Sequence, residues 1–443
     1  MENLEENRIK KWVKDNLNYE VASVHKLSRW RPSWNVEAVS ADGKDTLSLH
    51  FRGDRGQGLE TQPLEQEKTV IEFLGAHGLP VPKIYGWCDS PTAIVMENVA
   101  GSPYEGGAES DPQLLKLVED YVSHLARIHN IDVAEISVYG IDAPEWTPDL
   151  PLSYLHLAED IYFKNKEGPE PLIEFVRRWV RRNVPKNRTK CCLLLGDVPQ
   201  FIHSDSEIKA MIDIEMTRFG DPMFDLASIR VRDTLEPTGH QAHLFKHYEA
   251  VSGEPVDPDV ISFYSALEFI AVPMITVASL RKVRPHPAYV EYLSWILSGM
   301  RCALESIAEI NNIELSRNID LASVESDHSY ALEDLIVHLK NQPTDSGFYL
   351  ENPSLSLANY ALRADQLGPS LAQLEIEGIN DMLGESFESL PEARTALEAF
   401  VSKEDVSSEE KLLRFFHKLT LGRLKLIQDY DSPVVTRGLG SMG

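Results

Sequence analysis

Cysteine is scarce in this sequence, and the few cysteines form neither a metal-binding nor a disulfide pattern. The 443 residues include only Cys88, Cys191, Cys192 and Cys302, without any CxxC or Cys/His spacing. Such spacings mark zinc sites and disulfide-rich secreted domains. Since Cys191 and Cys192 are adjacent inside an apolar run, we predict reduced, buried thiols in a cytoplasmic protein.

Positively charged residues are also few compared with negatively charged ones. Lys and Arg total 43 against 69 for Asp and Glu, which gives a formal net charge of -26. An electrostatic field of this sign repels polyanions. We therefore expect no nucleic-acid partner and no membrane partner.

Long apolar runs are absent as well. The longest, "FIAVPMITVASL" at residues 269–280, is shorter than a bilayer span and contains Pro273, so we predict a buried helix. The first residues, "MENLEENRIKKWVKDNL", lack the apolar core of a signal peptide and predict a charged helix. The sequence gives no support for membrane insertion or export.

Residues 1–100 have the pattern of a small β-rich domain. "NVEAVSADGKDTLSLHF" is rich in strand-forming residues, and its Asp42-Gly43 pair indicates a hairpin turn. "LEQEKTVIEFLGAHG" has apolar residues at helical spacing and ends at Gly78. These segments predict an antiparallel sheet with one helix.

The rest of the chain is predominantly helical in pattern. Residues 101–325 contain amphipathic helices, interrupted by two short strands within "LLLGDVPQFIHSDSEIKAMIDIEM" at 193–216. Residues 326–432 predict a separate all-α domain, in which "SLSLANYALRADQL" and "SLAQLEIEGINDML" are successive helices. Residues 433–443 have the composition of a loose tail.

Several motifs together resemble a known family. They are "GLPVPKIYGWC", "AIVMENVAG", the Gly-Asp pair that ends at Asp197, "MIDIEM" and "FGDPMFDLA". With them the chain resembles the aminoglycoside phosphotransferase and choline-kinase-like family, and within it a subgroup associated with acyl-CoA dehydrogenases. The resemblance implies an α+β, protein-kinase-like fold with a small β-rich N-lobe and a helical C-lobe, followed by an all-α C-terminal domain.

The resemblance also implies catalytic and metal-binding residues. Asp197 matches the catalytic aspartate that orients the acceptor hydroxyl, and Asp213 matches the aspartate that binds magnesium. In relatives a His precedes the Gly-Asp pair and an Asn follows it, whereas Leu195 replaces the His here and no Asn lies before Asp213. Gln200 or His203 takes the place of that Asn, and we assign Gln200 to the metal site.

A second set of residues is implied for ATP binding. The basic residue of the third strand falls at His50, with Arg52 on the same face of the strand. Glu67 matches the helix glutamate that holds this basic residue. Met96 and Glu97, in the "AIVMENVAG" segment, complete the set.

Two further regions bear on the site. The loop that covers the phosphates in relatives corresponds to "LSRWRPSWNVE", which contains no glycine, so backbone amides cannot approach a triphosphate closely. Arg29 and Arg31 are either compensating cations or a solvated rim. Asp221 and Asp225 match architectural residues that hold the loop after the metal strand.

Three functions are consistent with this pattern. The first is ATP- and Mg²⁺-dependent phosphorylation of a hydroxyl on a small molecule, with a hydroxyacyl-CoA among the candidates. The second is a pseudokinase that binds a nucleotide or a partner enzyme, with residues 326–432 making the contact. The third is a kinase fold repurposed for another reaction on a phosphorylated or CoA-like ligand.

Overall fold

The computed structural model describes residues 2–27, 31–55, 62–283, 285–286, 288–324, 326, 328–341, 353–403 and 406–442. The chain forms two compact units that alternate along the sequence. The sheet unit comprises Met1–Trp146, Lys190–Asp225 and Thr238–Val256. The helical unit comprises Thr147–Thr189, Leu226–Pro237 and Asp257–Gly443. The three-domain division made from the sequence stays a prediction.

The sheet unit begins with a helix and a five-stranded antiparallel sheet of order β1-β2-β3-β5-β4. These elements are α1 (Glu2–Leu17), β1 (Tyr19–Lys26), β2 (Ser33–Ser40), β3 (Thr46–Gly53), α2 (Leu64–Ala76), β4 (Ile84–Asp89) and β5 (Thr92–Glu97). The hairpin predicted at Asp42-Gly43 is confirmed, since β2 pairs with β3 from Ser33 opposite Arg52 to Val39 opposite Thr46.

The predicted N-terminal helix is confirmed, and it covers one part of the sheet. Ile9 and Val13 are fully buried and belong to one hydrophobic cluster with Trp34, Val36 and Phe51. Burial of side chains of this size contributes roughly 1.5 to 3 kcal/mol each. The charged residues of α1 therefore form one face of an amphipathic helix.

The remaining elements of the sheet unit carry the candidate site. They are β6 (Ser102–Pro103), α3 (Pro112–His129), β7 (Cys192–Leu194), β8 (Phe201–Ser204), β9 (Glu207–Met211), β10 (Arg218–Gly220), the start of α6 (Met223–Arg232) and α7 (Gln241–Ser252). β7 pairs with β10, and β8 lies between β6 and β9. Asp111 caps α3 by accepting a hydrogen bond from the backbone N–H of Gln113 at 2.8 Å, directly before Pro112.

The helical unit is built around one long apolar helix. Its first helices are α4 (Ser153–Asn165), α5 (Pro171–Arg182), α8 (Pro258–Lys282) and α9 (Tyr289–Ile310). α8 is long and apolar enough to cross a membrane by length and composition alone, but 78% of its most apolar window is buried inside the protein. A helix that is apolar on all sides and packed in this way is a core helix. The buried helix predicted around Pro273 is confirmed.

The C-terminal helices are α10 (Ser329–Lys340), α11 (Pro353–Leu383), α12 (Leu390–Lys403), α13 (Glu409–Leu424) and α14 (Pro433–Thr436). One prediction in this region is wrong. The two helices expected on either side of Pro369 form the single helix α11 of 31 residues, with Pro369 inside it. The proline removes one backbone hydrogen bond but does not end the helix.

The C-terminal residues are not a loose tail, because they are anchored on the helical unit. Val434 and Val435 are buried. The guanidinium of Arg230, which is fully buried, donates to both carboxylate oxygens of Glu309 at 2.7 and 2.9 Å and to the Gly440 carbonyl at 2.7 Å. The Leu439 N–H donates to Glu305 at 2.7 Å. Composition alone missed these contacts because they depend on residues distant in sequence.

Glu305 makes the stability of this region sensitive to acid. Burial opposes the charged form, but the hydrogen bond to His417 and the attraction of Arg301 outweigh it and lower the pKa of Glu305 from 4.5 to about 2. A depressed pKa contributes stability above the unfolded pKa, and this contribution disappears as the pH falls through the folded pKa. The contribution of Glu305 is therefore present above about pH 4.5 and lost towards pH 2.

We expect the carboxylate of Glu305 to contribute about 3 kcal/mol to the free energy of unfolding at pH 7. Denaturant unfolding of the wild type and of Glu305→Gln, compared at pH 7 and near pH 2.5, measures this contribution. The difference between the two proteins should shrink steadily as the pH is lowered. A difference that is independent of pH would contradict the assignment.

Candidate functional site

The loop between β7 and β8, with the β8–β9 hairpin, brings together three of the residues predicted from the sequence. Asp197 follows β7, and Gln200 directly precedes β8. Phe201 pairs with Met211, and the carbonyl of Gln200 accepts a hydrogen bond from the Ile212 N–H at 3.1 Å. Gln200 therefore lies beside the backbone that leads into Asp213.

The backbone before Asp197 is held by a fully buried carboxylate. Asp225 accepts hydrogen bonds from the N–H groups of Leu195 at 2.8 Å and Gly196 at 2.9 Å. His129 Nε2 lies 3.1 Å from the same carboxylate, and its Nδ1 lies 2.8 Å from the hydroxyl of Tyr248. This arrangement fits the architectural role assigned to Asp225 from the sequence. It also anchors the Gly-Asp turn without the His that Leu195 replaces.

Gly196 is required by its surroundings. Its φ is +83°, and a Cβ at this position would lie 2.6 Å from the carbonyl oxygen of Met216. No L side chain fits such a contact without movement of the backbone. The glycine before Asp197 is thus explained by close packing against the segment that follows Asp213.

Arg52 is the central cation of the site. It lies near the end of β3, opposite Ile94 of β5. Its Nε is 2.7 Å from Glu67 of α2, and its Nη2 is 2.6 Å from Asp213 and 3.1 Å from Glu215. One guanidinium therefore joins the helix glutamate to the predicted metal ligand. Its planar fork makes this double contact possible.

Two more arginines surround the same carboxylates. Arg31 forms an ion pair with Glu215 and lies 4.0 Å from Glu67, while Arg55 Nη2 is 2.7 Å from Glu215. We call Arg31, Arg52, Arg55, Glu67, Asp213 and Glu215 the arginine–carboxylate cluster. Its three positive and three negative side chains balance in formal charge.

The charge of Arg52 is fixed by its partners. Burial opposes the charged guanidinium, but the attraction of Glu67, Asp213 and Glu215 outweighs this and raises its pKa above the ordinary value. Only 16% of the side chain is exposed, whereas 36% of Asp213 is exposed. The guanidinium is therefore a permanent, largely desolvated cation whose attraction to anions is little screened by solvent.

The backbone at Asp213 is unusual. Its φ of +58° and ψ of 48° place it in the left-handed region, which non-glycine residues rarely occupy. Such conformations cost about 1 to 3 kcal/mol and persist where the surrounding structure holds them. Here the contact with Arg52 and the paired hairpin that precedes Asp213 hold the residue in place.

The residues predicted to bind magnesium are contacted by other side chains. Arg52 already engages Asp213, and the amide nitrogen of Gln200 donates to Asp197 at 2.9 Å. In the part of the chain that the structure describes, no group of three or more His, Cys, Asp or Glu side chains is placed to hold a metal ion. Magnesium requires several oxygen ligands at short, near-octahedral distances. The cation that contacts Asp213 in this structure is the guanidinium of Arg52, and the assignment of Asp213 and Gln200 to a magnesium site stays a prediction.

The other predicted site residues that the structure describes lie outside this cluster. His50 Nδ1 is 2.7 Å from the side-chain oxygen of Asn35, so Arg52 and not His50 pairs with the helix glutamate. Met96, which is buried, and Glu97 lie at the end of β5, where they pair with His50 and Leu49 of β3. His203 lies on β8 with its ring against Phe201. Arg29 falls outside the described residues.

Sequence reasoning missed three members of the site. Glu215 forms ion pairs with Arg31, Arg52 and Arg55. The "IDIE" segment was a signal for it, since it contains a second acid two residues after Asp213. Arg55 gave no sequence signal beyond its charge. Gln62 donates to the Ile214 carbonyl at 3.1 Å and accepts from the Thr217 hydroxyl at 3.1 Å. It fastens the segment after Asp213 to the residues just before α2.

Comparison with known proteins identifies the class of this domain. Residues 40–260 match the profile of the phosphotransferase enzyme family. This part of the chain belongs to that family, and the family resemblance and kinase-like α+β fold predicted from the sequence are confirmed. Acyl-CoA dehydrogenase family member 11 from Rattus norvegicus is 25% identical over 226 residues, which cover 45% of this chain and 27% of the rat protein. The match thus spans about a quarter of the length of that curated relative.

Two solved structures share the fold. Choline kinase LicA from Streptococcus pneumoniae superposes with a TM-score of 0.51 at 19% identity, covering 69% of this chain and 99% of the other. A thermostable mutant of aminoglycoside phosphotransferase APH(4)-Ia, in a ternary complex with ADP and hygromycin B, has a TM-score of 0.50 at 13% identity. That match covers 67% of this chain and 98% of the other. At these identities the likeness concerns the fold.

Proposed function

We propose that this chain is a nucleotide-binding pseudokinase of the phosphotransferase family, in which Arg52 takes the place of a metal ion beside Asp213. The observation that carries the proposal is the pair of contacts from Arg52 to Glu67 at 2.7 Å and to Asp213 at 2.6 Å. The predicted site of magnesium is thus already neutralised by the protein. ATP is the proposed ligand because the fold is shared with a phosphotransferase crystallised with ADP.

The charge balance of the cluster supports nucleotide binding without a metal. A site with one basic residue and two carboxylates is negative, so it repels a polyphosphate unless a cation such as magnesium is bound as well. Arg31 and Arg55 add two cations against the single additional acid Glu215. The phosphates then meet guanidinium groups, which bind phosphate oxygens in bidentate geometry.

Phosphoryl transfer is the second candidate function, and the position of Asp197 favours it. Asp225 anchors the backbone before Asp197, and Gln200 donates to its carboxylate. A carboxylate held in this way can accept the proton of a substrate hydroxyl. The substrate would be a small hydroxylated metabolite, with a hydroxyacyl-CoA among the candidates. Two further predictions stay untested: a partner enzyme that contacts residues 326–432, and a kinase fold repurposed for another reaction on a phosphorylated or CoA-like ligand. The cytoplasmic location also stays a prediction.

Calorimetric titration with ATP, in the presence of Mg²⁺ and then of EDTA, separates the two candidates. The pseudokinase proposal expects similar dissociation constants under both conditions. It also expects Asp213→Asn to tighten ATP binding by up to about tenfold, because a carboxylate that competes for Arg52 is removed. If binding requires Mg²⁺ and Asp213→Asn abolishes it, the pseudokinase proposal is wrong.

Turnover provides an independent measurement. Phosphate transfer from ATP to hydroxyacyl-CoA and amino-sugar acceptors should be no faster in the wild type than in Asp197→Ala. A rate at least a hundredfold above that of the variant would establish the phosphotransferase reading instead. That ratio corresponds to about 2.7 kcal/mol of transition-state stabilisation.

A further inference from the structure

The helical unit contains a second candidate binding site, which does not depend on the function proposed for the sheet unit. A cavity of about 260 Å³ lies among α9, α11, α12 and α13. Much of its wall is apolar, with Leu293 and Leu297 from α9, Leu371 from α11 and Leu390 from α12. Cavities of this kind, with an apolar wall and a few polar groups, are typical of small-ligand sites.

One part of the cavity wall is formed by a glycine of α11. Gly368 lines the cavity and precedes Pro369, and a Cβ on Gly368 would meet nothing within 4 Å. Glycine at this position avoids the clash between proline and a preceding side chain that disfavours helical backbone. The carbonyl of Gln366, two residues before Gly368, accepts a hydrogen bond from the backbone N–H of Val324 at 2.9 Å. Gly368 therefore contributes backbone but no side chain to the cavity wall.

One side of the cavity is positively charged. Glu375 accepts from Arg394 Nε at 2.6 Å and Nη2 at 2.7 Å, and Arg423 Nη2 lies 3.3 Å from both of its oxygens. All three side chains line the cavity. Among the residues that line the cavity, two guanidinium groups and one carboxylate leave an excess of one positive charge, in a protein with a net charge of -26. Glu170, outside the lining, also attracts Arg394. Glu375 is 5% exposed, whereas the side chains of Arg394 and Arg423 are 37% and 26% exposed and so remain accessible to a ligand.

We propose that this cavity binds an amphipathic carboxylate, with its apolar chain among the leucines and its carboxylate on Arg394 and Arg423. A single negative charge matches the single excess positive charge. A guanidinium binds a planar carboxylate through two parallel hydrogen bonds. A neutral ligand of the same length would fill the apolar part but leave the arginines without an added partner.

The proposal is tested by calorimetric titration of the full-length protein with decanoate and with decan-1-ol, both below their aggregation limits. Decanoate should bind at least about tenfold more tightly than decan-1-ol. Arg394→Gln and Arg423→Gln should each raise the dissociation constant of decanoate by about tenfold. Arg414→Gln, a change on the same helix as Arg423 at an exposed arginine paired with Glu410, is the matched control and should leave it unchanged.

A variant that fills the cavity distinguishes a specific loss of decanoate binding from a loss caused by unfolding. Ala372 lines the cavity, so Ala372→Phe places a ring in the space and should abolish decanoate binding while the melting temperature stays the same or rises. Three results would overturn the proposal: no decanoate binding to the wild type, equal binding of decan-1-ol, or unchanged decanoate binding in a folded Ala372→Phe protein.

Discussion

Replacement of Arg52 by glutamine is expected to abolish ATP binding and to lower the free energy of unfolding by about 3 to 5 kcal/mol. Glu67 is only 2% exposed; among the described residues its nearest cation is Arg52 at 2.7 Å, with Arg31 at 4.0 Å. Removing one partner of a buried ion pair leaves the other charge desolvated without compensation. Calorimetry with ATP and denaturant unfolding measure the two effects.

The variant Arg52→Lys serves to separate an effect on ATP binding from an effect on the stability of the fold. A lysine keeps the positive charge, but its single nitrogen cannot reproduce the separate contacts of Nε with Glu67 and of Nη2 with Asp213. We expect this variant to fold and to bind ATP about tenfold more weakly than the wild type. If Arg52→Gln remained folded and bound ATP normally, Arg52 would not be the cation that meets the phosphates.

Substitution of Asp225 by alanine is expected to have the second large effect, a loss of about 3 to 5 kcal/mol in the free energy of unfolding. The variant leaves the N–H groups of Leu195 and Gly196 without their acceptor and removes the partner of His129. Each buried, unsatisfied donor costs about 1 to 3 kcal/mol. Denaturant unfolding at neutral pH provides the measurement.

Asp225→Asn is the graded control for this prediction. It retains one acceptor oxygen, so it should lose less stability than Asp225→Ala. Amide hydrogen exchange at Leu195 and Gly196 should accelerate in both variants, and more in the alanine variant. A stability within 1 kcal/mol of the wild type for Asp225→Ala would show that Asp225 does not hold the Gly-Asp turn.

The fold was predictable from the sequence to a large extent because its signals are local. The Asp42-Gly43 hairpin, the apolar spacing of α2 and the buried helix around Pro273 each depend on short-range patterns. Where the prediction was wrong, longer-range packing decided the outcome. Helix α11 continues through Pro369, and the C-terminal residues are held by Arg230 and Glu305.

The site was less predictable than the fold, because it too depends on packing between residues that are distant in sequence. Short motifs located Asp197, Asp213 and Glu67, and the alternation of β3 placed Arg52 on the face of His50. That Arg52 forms ion pairs with both Glu67 and Asp213 depends on the approach of β3, α2 and the segment after β9, which no local pattern encodes. Glu215 and Arg55 were missed because an ion-pair cluster is a property of three-dimensional proximity.

The alternation of the two units along the chain has a consequence for biosynthesis. The five-stranded sheet is complete at Glu97, but the sheet unit ends only at Val256. At typical elongation rates the ribosome needs roughly ten to thirty seconds to make the intervening residues. Until residue 215 has been made, Arg52 and Glu67 are present in the nascent chain without Asp213 and Glu215. The nascent sheet is therefore exposed before the residues that complete its unit have been made. Chaperone contact would be most useful during this time.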